Sequence, residues 1–152
     1  MKIYLDGGSL KDIKEYAKKK LVHGFTTNPS LMKKSKIKNY KDFVFRCKNI
    51  TRSKPISFEV TADNYLRIIE QASWLLKNAK NCHIKVPIVN SRGNANLKII
   101  KKLQTIKCKL NITAVFTEKH VNDIFKTIKS NQECIISIFS GRIADTGKDP
   151  NK

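Results

Sequence analysis

The segment His83-Ile84-Lys85-Val86 places a single lysine inside a short apolar run that ends at Pro87. Such a run predicts a strand that is buried on both faces. Burial favours the neutral amine of a lysine, and a neutral amine is the nucleophile that attacks a ketone carbonyl. Lys85 is therefore the first candidate for chemistry. The alternative is a lysine near the end of a strand, with a buried stem and a charge that reaches solvent.

Polar side chains recur on one face of five strand-like runs, while apolar side chains occupy the other face. The polar positions are Asp6, Glu59, Lys85, Asn111, Thr113 and Ser137. The apolar positions are Leu5, Phe58, Val60, Ile84, Val86, Ile112, Ile136 and Ile138. An open sheet covered on both faces would be apolar throughout, so we expect the polar positions to line a site at the mouth of a closed barrel.

Strand-like and helix-like patterns alternate along the chain, which predicts an α/β fold with a parallel sheet. The predicted strands are 2–6, 22–26, 56–60, 82–87, 110–115 and 134–139. The predicted helices are 10–20, 29–35, 39–48, 62–78, 92–106 and 118–130. Capping residues at four helix starts support this order. These residues are Ser9, Asn28 with Pro29 at the first helical position, Thr61 and Thr117.

The whole chain, residues 1–152, is predicted to form one barrel domain. A (β/α)₈ barrel usually needs at least about 200 residues. The pattern supplies six strands and then a polar, turn-rich tail over 144–152. We therefore expect an incomplete barrel without its C-terminal units, or one that closes by association with another copy or another chain. Two unpaired parallel edges would favour a homo-oligomer.

The net charge of +19 raises the possibility of a nucleic-acid-binding protein. The lysines are spread over every predicted helix, arginines are few, and no aromatic residues are interleaved with them for base stacking. Nucleic acid is thus not predicted as the main partner. The same positive field would attract phosphorylated metabolites.

No apolar run approaches the length of a membrane span, and the first residues enter a strand without a signal region, so the predicted location is the cytoplasm. The cysteines form no C-x-x-C pair and lie within or beside apolar stretches, which predicts buried free thiols. These are Cys47, Cys82, Cys108 and Cys134. The histidines lack ligand spacing, so no metal site is predicted.

Five segments in order carry a resemblance to a known family. They are Thr26-Thr27-Asn28-Pro29-Ser30-Leu31, Glu59-Val60, Ile84-Lys85-Val86-Pro87, Asn111-Ile112-Thr113-Ala114-Val115-Phe116 and Phe139-Ser140-Gly141-Arg142-Ile143. Together they resemble the transaldolase family, most closely its small subgroup, which also holds fructose-6-phosphate aldolases. The resemblance implies a (β/α)₈ barrel of the class I aldolase type, sugar-phosphate substrates, and Schiff-base chemistry without a metal or organic cofactor.

The resemblance also implies a role for each matching position in catalysis. Lys85 would form the imine with the ketose, and Asp6 would be the base that takes the C4 hydroxyl proton. Glu59 and Thr113 would hold a water and move protons during imine formation and hydrolysis. A structural role remains open for two of these residues, because Asp6 can cap the following turn and Glu59 can be the charge partner of Lys85.

Other matching positions would bind the substrate. The amides of Asn28 and Asn111 would orient the three-carbon enamine, although Asn28 is already explained as a helix cap. Ser137 and Arg142 match the phosphate side, where a guanidinium suits a phosphate dianion. Phe139 also belongs to the substrate side.

Two departures from the family pattern lie beside the predicted phosphate site. Ile138 stands where proline is usual and Ser140 where an aliphatic residue is usual, so the phosphate-side loop is expected to be displaced. The choice within the family rests on Glu59 rather than glutamine and Phe139 rather than tyrosine, which favour transaldolase over aldolase. The aldolase, an inactive or split barrel fragment, and a basic nucleic-acid-binding module are the alternatives.

Overall fold

In the computed structural model, which describes residues 1–51, 54–79 and 81–150, six parallel strands form one sheet in sequential order. The strands are β1 (Ile3–Gly7), β2 (Val22–Thr27), β3 (Ile56–Glu59), β4 (Cys82–Pro87), β5 (Lys109–Val115) and β6 (Cys134–Ile138). The predicted α/β architecture is confirmed, and all six predicted strands are present. Sequential order with every neighbour parallel is the order of a (β/α) barrel.

The sheet curls into part of a barrel. A cavity of about 430 Å³ is lined both by residues at the ends of β1 and β2 and by the loop and helix that follow β6. The first and last strands therefore face each other across the mouth of the sheet. Within the described residues β1 pairs only with β2 and β6 only with β5, so the outer edges of these two strands have no partner strand.

Seven helices surround the sheet in the described ranges. They are α1 (Leu10–Tyr16), α2 (Pro29–Lys34), α3 (Tyr40–Thr51), α4 (Tyr65–Asn78), α5 (Leu97–Thr105), α6 (Glu118–Thr127) and α7 (Ser140–Asp145). The six predicted helices are all found, with shifted ends. The short α7 was not predicted, because a mere six residues leave little periodic pattern.

Three of the four predicted helix caps are confirmed. At the start of α1, the side chain of Ser9 accepts a hydrogen bond from the backbone N–H of Asp12. At the start of α6, Thr117 accepts one from the backbone N–H of His120. Asn28 accepts two such bonds at the start of α2. Thr61 was wrongly predicted as the cap of α4. That cap is Asn64, which accepts from the Arg67 N–H, and the helix therefore begins at Tyr65 instead of 62.

The region before α5 differs most from its prediction. We expected a helix from residue 92, but α5 begins at Leu97, after an antiparallel bridge between Val89 and Ala95. The Asn90 side chain accepts hydrogen bonds from the backbone N–H groups of Arg92 and Asn94. An asparagine that binds its own following backbone stabilises a turn instead of a helix.

The core lies between the outer face of the sheet and the helices. Phe58, Ile84 and Ile112 of the predicted apolar face are fully buried there. Ile136 and Ile138 on β6 depart from this pattern, with exposed fractions of 41% and 56%. Their strand is the last of the sheet, which leaves both side chains partly exposed, and Ile138 also lines the cavity at the mouth of the sheet.

The four cysteines are free thiols, as predicted. Cys47, Cys82 and Cys108 are buried, whereas the prediction of burial was wrong for Cys134, which is half-buried on the edge strand β6. Burial raises the pKa of the Cys82 and Cys134 thiols to about 11. No group of histidine, cysteine and carboxylate side chains in the described residues could hold a metal ion. None of the described helices is long and apolar enough to cross a membrane.

A buried histidine lies at the opposite end of β4 from the predicted site. The Nε2 atom of His83 is 3.3 Å from a carboxylate oxygen of Glu133, and the same carboxylate is 3.2 Å from the Lys109 ammonium. The Nδ1 atom of His83 is buried and makes no hydrogen bond within the described part of the chain. Burial lowers the pKa of His83, and the nearby Glu133 carboxylate opposes that change.

This lowered pKa predicts a stability that depends on pH. Because the unfolded chain takes up a proton on His83 more readily than the folded chain, the stabilisation from neutral His83 is complete above about pH 6.5 and is lost on acidification through the lower folded pKa. The free energy of unfolding of the native protein minus that of His83→Gln should therefore decrease as the pH is lowered below about 6.5, by on the order of 1 kcal/mol per pH unit. Urea unfolding of both proteins between pH 4.5 and 8 measures the difference. A difference that stays constant with pH would contradict this account.

Candidate active site

The predicted polar face is found in the interior of the curled sheet. Glu59 on β3 is in register with Lys85 on β4, and Lys85 is in register with Asn111 on β5. Residues in register on adjacent parallel strands point to the same side, so these three side chains share one face. Glu59 is the last residue of β3 and Lys85 lies in the second half of β4, towards the end of a (β/α) barrel at which active sites are built, whereas Asn111 lies deeper, as the third residue of β5.

Lys85 and Glu59 form a buried ion pair. The Lys85 Nζ atom is 3.1 Å from the Glu59 Oε2 atom, and the exposed fractions of the two side chains are 4% and 14%. Nζ also donates a hydrogen bond of 2.8 Å to the backbone carbonyl of Thr27. The alternative of a lysine whose charge reaches solvent is therefore wrong, because the amine of Lys85 is buried against β2 and β3.

The Glu59 carboxyl has an altered proton affinity. Burial raises its pKa above the ordinary glutamate value, the Lys85 ammonium opposes this rise, and the nearby Asp6 carboxylate adds to it. A carboxyl group with a raised pKa takes up a proton more readily than an exposed glutamate. Glu59 is thus suited to exchange a proton with the lysine amine beside it.

The backbone of Glu59 is held by two side chains. Its N–H donates to the Thr27 hydroxyl at 3.0 Å, and its carbonyl accepts from the Tyr40 hydroxyl at 2.9 Å. Thr27 is fully buried. Neither residue was singled out in the sequence, although Thr27 lies inside the motif that carried the resemblance. A threonine inside a strand gives no sign that its hydroxyl replaces a backbone acceptor.

Asn111 is fully buried and joined to two serines across the interior. Its Nδ2 atom donates to the Ser57 hydroxyl at 3.0 Å, and its Oδ1 atom accepts from the Ser137 hydroxyl at 2.8 Å. Ser137 was predicted on the phosphate side. The structure places it against Asn111, and it does not line the cavity that contains Arg142.

Thr113 lies beside a distortion of β5. The pairing between β5 and β6 shifts between Ile112 and Val115, and Ala114 adopts a φ of 58°. This left-handed conformation is uncommon for a residue with a Cβ atom, and such strain concentrates at functional sites. The Thr113 hydroxyl is buried without a hydrogen-bond partner in the described residues. A polar atom in that state is suited to bind a water or a substrate hydroxyl.

Asp6 and Asn28 come from the first two strands. The Asp6 carboxylate is exposed and accepts a 2.7 Å hydrogen bond from the Thr26 hydroxyl. The side-chain oxygen of Asn28 caps α2, as the sequence predicted, and the amide nitrogen of Asn28 takes no part in this cap. The backbone of Gly8, which follows β1, packs directly against the backbone of α2. This approach requires glycine, because a Cβ atom on Gly8 would collide with the Leu31 backbone.

The cavity of about 430 Å³ lies where these strand ends face α7. Asp6 and Asn28 line one side, and Phe139 and Arg142 line the other. The Phe139 ring packs edge to face on Phe116 with 5.5 Å between ring centroids. Arg142 is largely exposed and lies 3.9 Å from the Asp145 carboxylate, a weak surface pair that leaves the guanidinium accessible to an anion.

Comparison with known proteins decides the family. The family model described as transaldolase/fructose-6-phosphate aldolase matches residues 3–152, nearly the whole chain. The chain belongs to this family. A probable transaldolase of Lactiplantibacillus plantarum is 36% identical over 149 residues, covering 97% of this chain. Probable transaldolases of Dehalococcoides mccartyi and Nitrosopumilus maritimus are 32% and 33% identical over 149 residues, each covering 98% of this chain.

The relatives of the transaldolase/fructose-6-phosphate aldolase family are longer than this chain. The match covers 65% of the Dehalococcoides mccartyi protein and 63% of the other two. The chain thus spans less than two thirds of the length of the relatives that it matches. The six-stranded sheet described above corresponds to that shared part.

The structure divides the predicted site residues of this family member into two groups. The first group lies in the interior and consists of the buried pair and three polar residues of β5 and β6: Lys85, Glu59, Asn111, Thr113 and Ser137. The second lines the cavity at the mouth: Asp6, Asn28, Phe139 and Arg142. Neither Lys85 nor Glu59 lines that cavity. The Asp6 carboxylate of the second group adds to the raised pKa of Glu59 in the first.

Proposed function

We propose that the chain carries the active site of a transaldolase, which transfers a dihydroxyacetone unit between sugar phosphates through a Schiff base on Lys85. The observation that carries the proposal is the buried pair of Lys85 with Glu59, whose pKa is raised, in the interior of a (β/α) sheet. A lysine amine beside a proton acceptor is the pair of groups needed to form an imine with a ketone.

The proposed reaction begins with a proton transfer from Lys85 to Glu59. The neutral amine attacks the C2 carbonyl of the ketose, and the resulting carbinolamine loses water when Glu59 returns a proton to the departing hydroxyl. The Thr113 hydroxyl, which is buried without a hydrogen-bond partner in the described residues, is proposed to bind this water. Asp6 then takes the C4 hydroxyl proton, the bond between C3 and C4 breaks, and its electrons move into the protonated imine. An aldose phosphate leaves, and a three-carbon enamine remains on Lys85.

The same groups account for transfer to a second sugar. The enamine attacks the aldehyde of the acceptor, Asp6 returns the proton to the new hydroxyl, and water releases the product from Lys85. The amides of Asn28 and Asn111 are proposed to hold the three-carbon unit meanwhile. Arg142 is proposed to bind the phosphate at the cavity mouth, where its guanidinium can form two hydrogen bonds to one dianion.

Transaldolase is preferred to a fructose-6-phosphate aldolase because Glu59 can relay protons and because Phe139 has no hydroxyl with which to position water. No metal or organic cofactor is part of this proposal. We further propose sugar phosphates as the partners, a homo-oligomeric state, and the cytoplasm as the location.

Trapping with borohydride tests the proposal. Incubation with dihydroxyacetone or fructose 6-phosphate followed by borohydride is expected to add a reduced adduct to Lys85, identified by peptide mass spectrometry. Asp6→Asn should still form the adduct with dihydroxyacetone but lose cleavage of fructose 6-phosphate by on the order of 10² or more. Labelling of exposed lysines alone, or none at all, would favour the alternative of an inactive or split barrel fragment.

A further inference from the structure

The end of β2 contains an unusual exchange of hydrogen bonds beside the Lys85–Glu59 pair. The pairing of β2 with β3 extends only over Phe25 with Ile56 and Thr26 with Ser57. If this ladder continued, the alternation of a parallel pair would direct the Glu59 N–H to the backbone carbonyl of Thr27.

The structure shows a different acceptor. The Glu59 N–H donates to the Thr27 hydroxyl at 3.0 Å, and the Thr27 carbonyl accepts instead from the Lys85 Nζ atom at 2.8 Å. One buried residue thus bonds to both members of the ion pair. The hydroxyl takes the bond that the carbonyl would otherwise accept, and this leaves the carbonyl available for the lysine.

We propose that Thr27 is a positioning residue, which uses its hydroxyl to hold Glu59 and thereby frees its carbonyl to orient the amine of Lys85. The inference rests on the proposed function only in taking Lys85 as the nucleophile. The Thr27 hydroxyl contacts only the Glu59 N–H, and the Thr27 carbonyl accepts a hydrogen bond from Nζ without forming a bond to substrate or exchanging a proton. It sets the direction from which the amine leaves the ion pair towards a carbonyl carbon.

The experiment compares Thr27→Val, which removes the hydroxyl at nearly constant shape, with Thr27→Ser, which keeps it. Thr51→Val is the matched control, because Thr51 is also buried but lies at the end of α3, outside the site. Two reactions on the full chain are followed at Lys85 between pH 6 and 9. Formaldehyde with cyanoborohydride reports the availability of the amine, and dihydroxyacetone with borohydride reports its alignment with a ketone.

Thr27→Val is expected to speed methylation of Lys85 by about fivefold at neutral pH, as expected for an amine that loses one hydrogen-bond acceptor. The dihydroxyacetone adduct should form about tenfold more slowly, because orientation is lost. Thr27→Ser should stay within about twofold of the native protein in both reactions. Thr51→Val should match the native protein.

Methylation profiles that coincide for the native protein and Thr27→Val would overturn the inference, even if both threonine-to-valine changes lowered the melting temperature alike. Failure of the native protein to form the dihydroxyacetone adduct would instead count against the proposed function. The methylation arm uses no substrate and still decides the role of Thr27 in that case.

Discussion

Lys85→Met is expected to abolish carbonyl trapping and to lower the free energy of unfolding by about 3–5 kcal/mol at neutral pH. The physical reason is that the change removes the nucleophile and leaves the Glu59 carboxylate buried without its cation. Peptide mass spectrometry measures the first effect, and urea unfolding measures the second. The stability loss should shrink on acidification, because Glu59, whose pKa is raised, then becomes neutral.

A second substitution separates charge from packing. Lys85→Met combined with Glu59→Gln should recover most of the lost stability, since the glutamine carries no charge that needs a partner. Lys119→Met is the matched surface control, because the Lys119 side chain is 80% exposed in its pair with Asp123, and it should cost less than about 1 kcal/mol. Additive effects of the two buried changes would show that Lys85 and Glu59 are not coupled.

Glu59→Gln alone should slow imine formation more than it affects folding, because glutamine keeps the shape of glutamate but cannot exchange a proton. A large loss of stability with unchanged trapping would assign Glu59 to a purely structural pairing with Lys85.

Self-association of the chain is the second large effect that we expect. The outer edges of β1 and β6 have no partner strand in the described residues, and Ile136 and Ile138 expose apolar surface on β6. Open edges with apolar side chains favour pairing with further chains. Sedimentation velocity between about 1 and 100 µM should show a shift to dimers or larger species with increasing concentration.

Lysine substitutions locate the surface responsible for the association. Ile136→Lys combined with Ile138→Lys should reduce it, because charged side chains on an edge strand oppose pairing. Leu66→Lys is the control, since Leu66 is 70% exposed but lies on α4, away from both edges. A compact monomer that melts cooperatively at all concentrations would contradict the expectation and would mean that the edges are protected within the monomer.

Local sequence patterns determined much of the fold. Alternating polar and apolar residues marked five of the six strands, since side chains of a strand point to opposite faces in turn, and the order of strand-like and helix-like patterns supplied the sixth, β2. The caps at Ser9, Asn28 and Thr117 were predictable because a short polar side chain binds the first backbone N–H groups of a helix. The start of α5 was not, because the Asn90 turn uses the same residue types as a helix start.

The sequence alone also singled out Lys85 and Glu59, since a charged residue among apolar ones on a central strand needs a partner. Only the tertiary structure showed that they are partners at 3.1 Å and that Thr27 bonds to both. These contacts depend on the register of β2, β3 and β4, and that register is set by packing between segments far apart in the chain. Two unpaired edges were already expected from the count of six strands, and the pairing of whole strands in the described residues shows that they belong to β1 and β6.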